Sequence, residues 1–228
     1  MQRSALVIGA SRGLGLALCA EFIHRGWHVT GTVRGDRADK LHALAERGNG
    51  ALTIVQHLDI TEPTAVAALR QHLHGQRFDL LFVNAGILTD TEHSVADITT
   101  EAFTRLMVTN ALSPLRTLEV LQDRVAPQGV LAVMSSGIGS IAENEQGVWD
   151  CYSASKAALN MLLRGFAARH PDRAVVAVAP GWVRTDMGGP AAPLGIDDSI
   201  PGVVDTVTAQ AGRPGLQFLD YTGRVVAW

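Results

Sequence analysis

The sequence predicts an α/β protein in which helices cover both faces of one parallel β-sheet. Short apolar runs, such as residues 5–8, 78–83 and 174–179, alternate with segments whose apolar residues recur at helical spacing. A glycine-rich turn follows the first of these runs, and small or polar residues follow the others. In doubly wound sheets of this kind the ligand binds at the carboxyl ends of the strands. We therefore expect the functional residues at those positions.

The composition is that of a globular protein. The 228 residues are 47% hydrophobic and 18% charged, which supplies a core and argues against disorder. A net charge of -3 with scattered basic residues gives no stripe for nucleic acid. We find no signal-peptide pattern and no apolar run of transmembrane length, so we expect a cytoplasmic protein without a membrane partner. The two cysteines and eight histidines form no metal-ligand pattern, and we predict no metal site.

A glycine turn joins the first predicted strand to the first helix. Residues 5–8 predict the strand, Gly9, Gly13 and Gly15 lie in the turn, and helical spacing begins at Leu16. Glycines let the backbone approach a pyrophosphate closely, and the helix N-terminus faces the anion. The Gly-x-x-x-Gly-x-Gly spacing departs from the commoner Gly-x-Gly-x-x-Gly. Because of this departure, the spacing by itself only suggests a dinucleotide site. The alternative is a glycine-rich turn that holds no ligand.

The end of the second predicted strand bears on the choice of cofactor. The strand predicted over residues 28–33 is followed by Arg34. An NAD-specific site would have at this point a carboxylate that binds the adenosine ribose. A guanidinium there can bind a 2′-phosphate, and Arg12 from the glycine turn can close from the other side. NADP(H) is therefore favoured over NAD(H). The alternative is that both arginines are solvated surface charges, which the nearby Asp36 supports.

The alternation continues through two further strands. Residues 39–47 predict a helix, and residues 52–58 predict a strand that is followed by Asp59 and Ile60. The Asp59 carboxylate could accept a hydrogen bond from an adenine amine, or it could be a simple loop carboxylate. The strand over residues 78–83 is followed by residues small enough for a cofactor to lie against the backbone: Asn84, Ala85 and Gly86.

A proline interrupts the helix expected after Thr99. The apolar spacing runs through Pro114, which has no N–H, so the carbonyl of Asn110 should lose its helical partner. A freed carbonyl can hold a water molecule. If Asn110 lies behind Lys156, that water could begin a proton relay to solvent. If it does not, Pro114 is only a kink.

The central stretch carries the groups that fit acid-base chemistry. Tyr152 and Lys156 are four residues apart in a segment without Gly or Pro, so both should project from one helical face. A cation beside a phenol favours the phenolate and lowers the pKa, which makes Tyr152 a usable general acid or base. Ser136, at the end of a strand over residues 130–134, could hydrogen-bond a substrate oxygen.

The last predicted strand leads into an irregular segment. Residues 174–179 are followed by Pro180 and Gly181, and residues 188–202 are too rich in Gly, Pro, Ala and Asp for a regular element. We predict a lid over the substrate at about residues 187–203, with Thr185 contacting a carboxamide or phosphate of the cofactor. A flexible surface loop is the alternative. Because no internal boundary is visible, residues 1–228 are predicted to form a single domain.

Taken in order, these motifs resemble the short-chain dehydrogenase/reductase family over essentially the whole chain. Within that family the chain is most similar to the C-factor and sniffer-type carbonyl reductases, through residues 180–189 and Trp228. Ser136 stands sixteen residues before Tyr152, a longer interval than is common in the family, which leaves Ser135 or Ser140 as alternatives. The matching positions are Gly9, Gly13, Gly15, Asp59, Asn84, Ala85, Gly86, Asn110, Ser136, Tyr152, Lys156, Pro180 and Gly181.

The resemblance implies a Rossmann-type fold and NADPH-dependent reduction of an aldehyde or ketone. Tyr152 would donate a proton to the carbonyl oxygen, Ser136 would hold that oxygen, Lys156 would lower the tyrosine pKa and bind the nicotinamide ribose, and Asn110 would hold the relay water. The implied cofactor-binding residues are Gly9, Ser11, Arg12, Gly13, Leu14, Gly15, Arg34, Asp59, Ile60, Asn84, Ala85, Gly86, Tyr152, Lys156, Pro180, Gly181, Val183 and Thr185.

Other functions and the substrate stay open at this point. The chain could be a C-factor-like signalling or regulatory protein with little turnover, or it could catalyse epimerisation or dehydration on the same fold. We expect a small or medium apolar carbonyl substrate, and a homodimer or homotetramer that contacts through the apolar helices over residues 106–121 and 157–166. The expected apolar walls of the pocket are Ile138, Ile141, Val148, Trp149, Trp182 and Met187.

Overall fold

Seven parallel strands form one sheet in the order β3-β2-β1-β4-β5-β6-β7. The structure is a computed structural model, and it describes residues 2–36, 38–145 and 147–228. The strand order reverses between β1 and β4, which is the switch point at which ligands of doubly wound sheets bind. The strands are β1 (Ser4–Ile8), β2 (His28–Thr32), β3 (Leu52–Val55), β4 (Phe78–Val83), β5 (Val125–Met134), β6 (Ala174–Ala179) and β7 (Gly215–Asp220).

Helices cover both faces of the sheet, as the sequence predicts for this fold class. Helices α1, α2 and α7 pack on one face, and α3, α5 and α6 pack on the other. The helices are α1 (Gly13–His24), α2 (Asp39–Arg47), α3 (Pro63–His72), α4 (Thr100–Met107), α5 (Ser113–Leu121), α6 (Asp150–Arg169) and α7 (Ile196–Thr208). The α/β doubly wound prediction is confirmed.

The apolar strand sequences follow from this double coverage. In β1, Ala5 and Val7 belong to one core cluster, whereas Leu6 and Ile8 belong to the other. Successive side chains of a strand point to opposite faces, so a strand that is buried on both sides has few polar positions. Mainly apolar runs such as β4, in which Asp79 is the exception, and β6 therefore predict their own boundaries, and both agree with the structure.

The prediction of an irregular lid at residues 187–203 is partly wrong, because α7 begins at Ile196. Apolar residues recur at helical spacing in this stretch and pack on the sheet, but Pro201 and Gly202 made a helix appear unfavourable from the sequence. The start of the helix is fixed by Asp198, whose carboxylate accepts a hydrogen bond of 2.7 Å from the N–H of Gly195. The irregular segment therefore ends at Gly195. The buried residues of α7 that carry the pattern are Ile200, Val203, Val204 and Val207.

The helices in the described part of the chain include none that is long and apolar enough to cross a membrane.

Two adjacent leucines of α6 test which face of this helix is buried. Leu163 is 0% exposed and Leu162 is 42% exposed. We expect Leu163→Ala to lower the free energy of unfolding by about 2–5 kcal/mol, because it leaves a cavity in the core. Leu162→Ala should change it by about 0.5 kcal/mol or less. Urea denaturation measures both values, and equal losses would contradict the assigned faces.

Candidate active site

The ends of β1, β4, β5 and β6 meet at the carboxyl edge of the sheet. Ile8 pairs with Val83, Val83 pairs with Val133, and Met134 pairs with Val178. The residues that follow these strands therefore lie side by side, which brings the glycine turn, Asn84, Ser136 and Pro180 to one edge. The sequence predicts this convergence, since all four strands are parallel.

The glycine turn is packed so closely that side chains are excluded. Gly9 has a φ of 88°, and a Cβ added there would lie 2.9 Å from Ala85. A Cβ at Gly15 would lie 2.0 Å from the carbonyl oxygen of Gly9. Asn84 fixes the turn from the end of β4, because its Nδ2 donates to the Gly9 carbonyl at 2.8 Å. Arg12, the N-cap of α1, makes no side-chain cap, so an anion could bind the first N–H groups of this helix.

Lys156 is buried behind this edge with 4% exposure. Its Nζ donates to the carbonyl oxygen of Met134 at 2.9 Å and lies 5.8 Å from the centroid of the Tyr152 ring. A Cβ added at Gly86 would meet the Lys156 Nζ at 3.7 Å and the Asn110 Oδ1 at 3.2 Å. The Asn110 Oδ1 and the Lys156 Nζ therefore both lie next to Gly86.

Asn110 lies in a π-helical segment, Val108–Leu112, between α4 and α5. The irregularity expected at Pro114 is thus a π turn that ends just before this proline, and π turns are frequent at functional sites. The Asn110 side chain is fully buried. Its Oδ1 accepts from the N–H of Ile87 at 2.8 Å, and its Nδ2 donates to the Ile87 carbonyl at 2.8 Å and to Ser155 Oγ at 3.1 Å.

Of the three candidate serines, Ser136 is the one whose hydroxyl is close enough to Tyr152 to influence the pKa of the phenol. Ser135 Oγ instead donates to Asn160 Oδ1 at 2.8 Å, in the buried interior. Ser140 is fully buried, and its Oγ accepts from the N–H of Glu143 at 3.0 Å. The long interval between Ser136 and Tyr152 therefore does not keep these two side chains apart.

The pKa of Tyr152 differs from the sequence-based expectation. Burial raises the pKa of Tyr152 to about 12, and the nearby Ser136 hydroxyl opposes this rise only in part. Burial also lowers the pKa of Lys156 to about 8. The expectation of a lowered Tyr152 pKa is therefore wrong for this arrangement, because desolvation of the phenol dominates the shift, and the Lys156 ammonium donates its hydrogen bond to the Met134 carbonyl.

The two arginines proposed for a 2′-phosphate are exposed, and each faces a carboxylate. Arg34 Nη1 lies 4.0 Å from Asp59 Oδ2, and Arg12 Nη1 lies 3.1 Å from Asp186 Oδ2. Asp36, which could have neutralised Arg34, instead lies 3.5 Å from a ring nitrogen of His57. Both guanidinium groups are therefore accessible to an incoming anion, although neither contacts the other.

Two of the predicted apolar walls are aromatic residues that contact each other. The ring of Trp149, at the N-cap of α6, meets the Trp182 ring edge-on at a centroid distance of 6.2 Å. Trp182 Nε1 donates to the Gly188 carbonyl at 2.8 Å, so its polar group is satisfied within the segment after β6. The remaining predicted walls that are exposed are Ile141, Val148 and Met187.

Thr185 and its neighbours connect the segment after β6 to the glycine turn. The Thr185 side chain would lie 3.9 Å from a Cβ at Gly13, and its Oγ1 accepts from the N–H of Gly188 at 3.0 Å. Val183 is buried and pairs with Leu194. The predicted cofactor contacts of this segment are thus beside the turn, as expected from the strand order.

Two clefts lie away from Tyr152. One, of about 230 Å³, is at the opposite edge of the sheet beside Arg3, Trp27 and Gln128. The other, of about 490 Å³, is open and lies between Thr61 and α4. The first contains none of the residues that the sequence singles out, and we do not assign the chemistry to it.

Two site residues escaped the sequence analysis. Asn160 holds the strand-end backbone, since its Nδ2 donates to the Gly139 carbonyl at 3.2 Å while its Oδ1 accepts from Ser135. It stands four residues after Lys156, so the helical spacing that links Tyr152 to Lys156 could have found it. Ser155, which donates to the Tyr152 carbonyl at 2.7 Å and bonds Asn110, had no such signal.

Comparison with known proteins identifies the family. A family model described as short chain dehydrogenase matches residues 3–193. The chain therefore belongs to the short-chain dehydrogenase family and is an oxidoreductase of that family, as the order of its motifs predicts.

Three individual proteins illustrate the similarity within and around this family. A protein from Burkholderia multivorans, described as a short-chain dehydrogenase/reductase and solved with bound NADP, is 52% identical, with a TM-score of 0.97 and 100% of both chains covered. A carbonyl reductase from Pseudomonas aeruginosa PAO1 in complex with NADP is 37% identical, with a TM-score of 0.93 and the same coverage. The C-signal protein of Myxococcus xanthus is 36% identical over 155 residues, which are 66% of this chain and 92% of that protein.

Burial of the Lys156 ammonium should make the free energy of unfolding depend on pH. The folded chain releases this proton near pH 8, whereas an unfolded lysine keeps it to about 10.5, so wild-type stability rises with pH in this window. We expect Lys156→Met to be more stable than wild type by about 1–3 kcal/mol at pH 7. The advantage should shrink toward pH 10.5, as measured by urea denaturation.

Lys40→Met is the matched control, because Lys40 is the other lysine of the chain and is exposed on α2. It should show no such trend with pH. A Lys156→Met protein that is less stable than wild type at pH 7 would contradict a net cost of burying this charge.

Proposed function

We propose that the chain is an NADPH-dependent reductase that converts an aldehyde or ketone to an alcohol. The observation that carries this proposal is the grouping of Ser136, Tyr152 and Lys156 at the sheet edge that also holds the glycine turn, with the Lys156 Nζ 5.8 Å from the centroid of the Tyr152 ring. The NADP named for the Burkholderia and Pseudomonas structures supports the cofactor, and the name of the Pseudomonas protein supports the carbonyl substrate.

The cofactor would bind along the carboxyl edge from the β3 side to α6. The N–H groups at the glycine turn would hold the pyrophosphate, and Arg34 and Arg12 would bind the 2′-phosphate. Asp59 would lie near the adenine, the small residues after β4 would carry the cofactor's body, and Lys156 would bind the nicotinamide ribose. When bound, NADPH would supply a hydride to the carbonyl carbon of the substrate.

Tyr152 would donate the proton that the reduction requires. A phenol with a pKa of about 12 stays protonated at neutral pH, so the raised pKa suits a proton donor to a developing alkoxide. Ser136 would donate a hydrogen bond to the same oxygen and stabilise its growing negative charge. The positive charge of Lys156 would favour the phenolate that remains after proton transfer.

Asn110 would complete the acid-base site. Its side chain is fixed by Ile87 and Ser155, so it can hold its backbone in position next to Lys156. A water bound there would return a proton from solvent to Tyr152 by way of Lys156. The π turn at Val108–Leu112 supports this role, because it breaks the regular helical bonding at this residue.

The segment over residues 180–195 would cover the substrate. Its Trp182 and Met187, together with Trp149, present apolar surface toward that side and favour an apolar carbonyl compound. A homodimer or homotetramer is a further part of the proposal. It rests on Met161 and Leu162, two exposed apolar residues of α6.

Removal of the Tyr152 hydroxyl tests the proton donor. We expect Tyr152→Phe to lower kcat for a neutral aldehyde by about 10²–10⁴-fold, while the Kd for NADPH changes little. Tyr221→Phe, at the only other tyrosine of the sequence, is the control and should keep wild-type kcat. Bound NADPH without turnover of any carbonyl in the wild type would instead favour a binding or signalling protein.

Arg34 tests the cofactor preference. We expect Arg34→Ala to raise the Kd for NADPH by about 10–100-fold, because a charge-assisted bond to the 2′-phosphate is lost. The Kd for NADH should change by less than about twofold, since NADH has no such phosphate. Fluorescence titration measures both constants. Arg47→Ala, an exposed arginine of α2, is the control, and an equal loss for both cofactors would refute the assignment.

A further inference from the structure

We propose that Trp228 and Glu143 are positioning residues for the substrate side of the active site. They hold in place the segment between β5 and α6, which contains Ser136 and ends at Trp149. We call residues 224–228 the tail segment and residues 136–149 the β5–α6 segment, of which residue 146 lies outside the described part. The inference rests on the proposed carbonyl reduction, because it concerns where the substrate binds.

The tail segment is itself firmly attached to β7. Leu219 forms an antiparallel bridge with Val225, and the N–H of Val226 donates to the Phe218 carbonyl at 2.9 Å. Val226 is buried in the core. The ring of Trp228 packs on Phe218 at a centroid distance of 5.3 Å. These contacts make the tail segment a fixed support.

Two hydrogen bonds join this support to the β5–α6 segment. The N–H of Ala142 donates to the Trp228 carbonyl at 3.1 Å, and the N–H of Ala227 donates to Glu143 Oε1 at 3.1 Å. The backbone of Glu143 is fixed in turn, because its N–H donates to Ser140 Oγ at 3.0 Å. Trp228 also approaches α6, since the guanidinium carbon of Arg164 lies 6.0 Å from its ring centroid. The indole thus lies between β7 and the helix that carries Tyr152.

From Ser140 the contacts continue to the catalytic groups. Residues Gly137–Gly139 form a 3₁₀ turn, in which the N–H of Gly139 donates to the Ser136 carbonyl at 3.0 Å. A Cβ at Gly139 would lie 2.8 Å from Lys156 Cβ, so the turn rests directly on α6. Because this turn rests on α6, a shift of Ala142 and Glu143 should displace the residues after Ser140 more than Ser136 itself.

The other end of the β5–α6 segment is held by aromatic packing. Trp149 contacts Trp182, and the N–H of Ser153 donates to the Trp149 carbonyl at 2.8 Å. Of the exposed apolar residues, Ile141 directly precedes Ala142 and Val148 directly precedes Trp149. Loss of the tail contacts would free Ala142 and Glu143 while the 3₁₀ turn and Trp149 stay attached, so the stretch between them would lose its fixed place.

The cofactor side should be insensitive to this loss. β7 is the edge strand, three positions from β4 and four from β1, which carry Asn84 and the glycine turn. A positioning role therefore predicts a change in KM for the carbonyl substrate without a change in the Kd for NADPH. A merely structural role would lower the stability and affect both constants together.

The test compares matched variants of the full chain. With the best neutral aldehyde or ketone from an apolar panel, we expect Trp228→Ala and Glu143→Ala to raise KM about five- to tenfold, with kcat changed much less. Trp228→Phe retains a ring on Phe218, and Glu143→Gln retains an acceptor for Ala227, so both should restore KM to near the wild-type value. Val225→Ala, at a tail residue that is 66% exposed, is the control and should match wild type.

Hydrogen exchange of the amides of Ala142 and Glu143 provides a readout that does not depend on turnover. Faster exchange in Trp228→Ala, with unchanged NADPH affinity and a raised KM, supports the proposal. Unchanged exchange or unchanged KM overturns it, as does a failure of Trp228→Phe to restore the wild-type values. If the wild type binds no NADPH and reduces no carbonyl, the proposed function fails, and exchange still decides whether the tail segment holds Ala142 and Glu143.

Discussion

The burial of the Lys156 ammonium is the constraint on which the active site depends. A charge inside a protein needs a partner, and Lys156 finds it in the Met134 carbonyl at the end of β5. This bond ties the helix α6 to the strand whose next residues include Ser136. The positions of the phenol, the hydroxyl and the ammonium are therefore set by one contact between a helix and a strand end.

Around this contact the sheet separates two tasks. The ends of β1 and β4 present backbone and small residues, so the proposed dinucleotide cofactor could lie against them. The ends of β5 and β6 lead into longer segments with aromatic side chains, which are held by Trp149, Trp182 and the tail segment. Parallel strands place both kinds of surface on one edge of the sheet.

The sequence predicts those features that depend on local pattern. β4, β6 and α2 are bounded as predicted, because an apolar run or an amphipathic stretch begins and ends within the sequence itself. The start of α7 was missed, because Pro201 and Gly202 normally interrupt helices and the tertiary packing of this one overrides their preference.

Other site properties depend on residues that are distant in sequence or on burial. The spacing of Tyr152 and Lys156 predicts that they are neighbours, but it contains no information on desolvation, so the direction of the Tyr152 pKa shift could not be foreseen. The pairing of Arg12 with Asp186 spans 174 positions and has no local signal. Asn160, by contrast, follows the same helical spacing as the residues that were recognised.

The entry into α6 has a consequence for how freely this site can vary. Trp149 has a φ of 54°, a left-handed conformation that costs a bulky residue roughly 1–2 kcal/mol and that glycine adopts without strain. Glycine would relax the backbone at this point and would remove the ring that meets Trp182. The backbone strain at Trp149 therefore accompanies the contact between its ring and Trp182. A substitution at this position that relieves the strain also removes this aromatic contact.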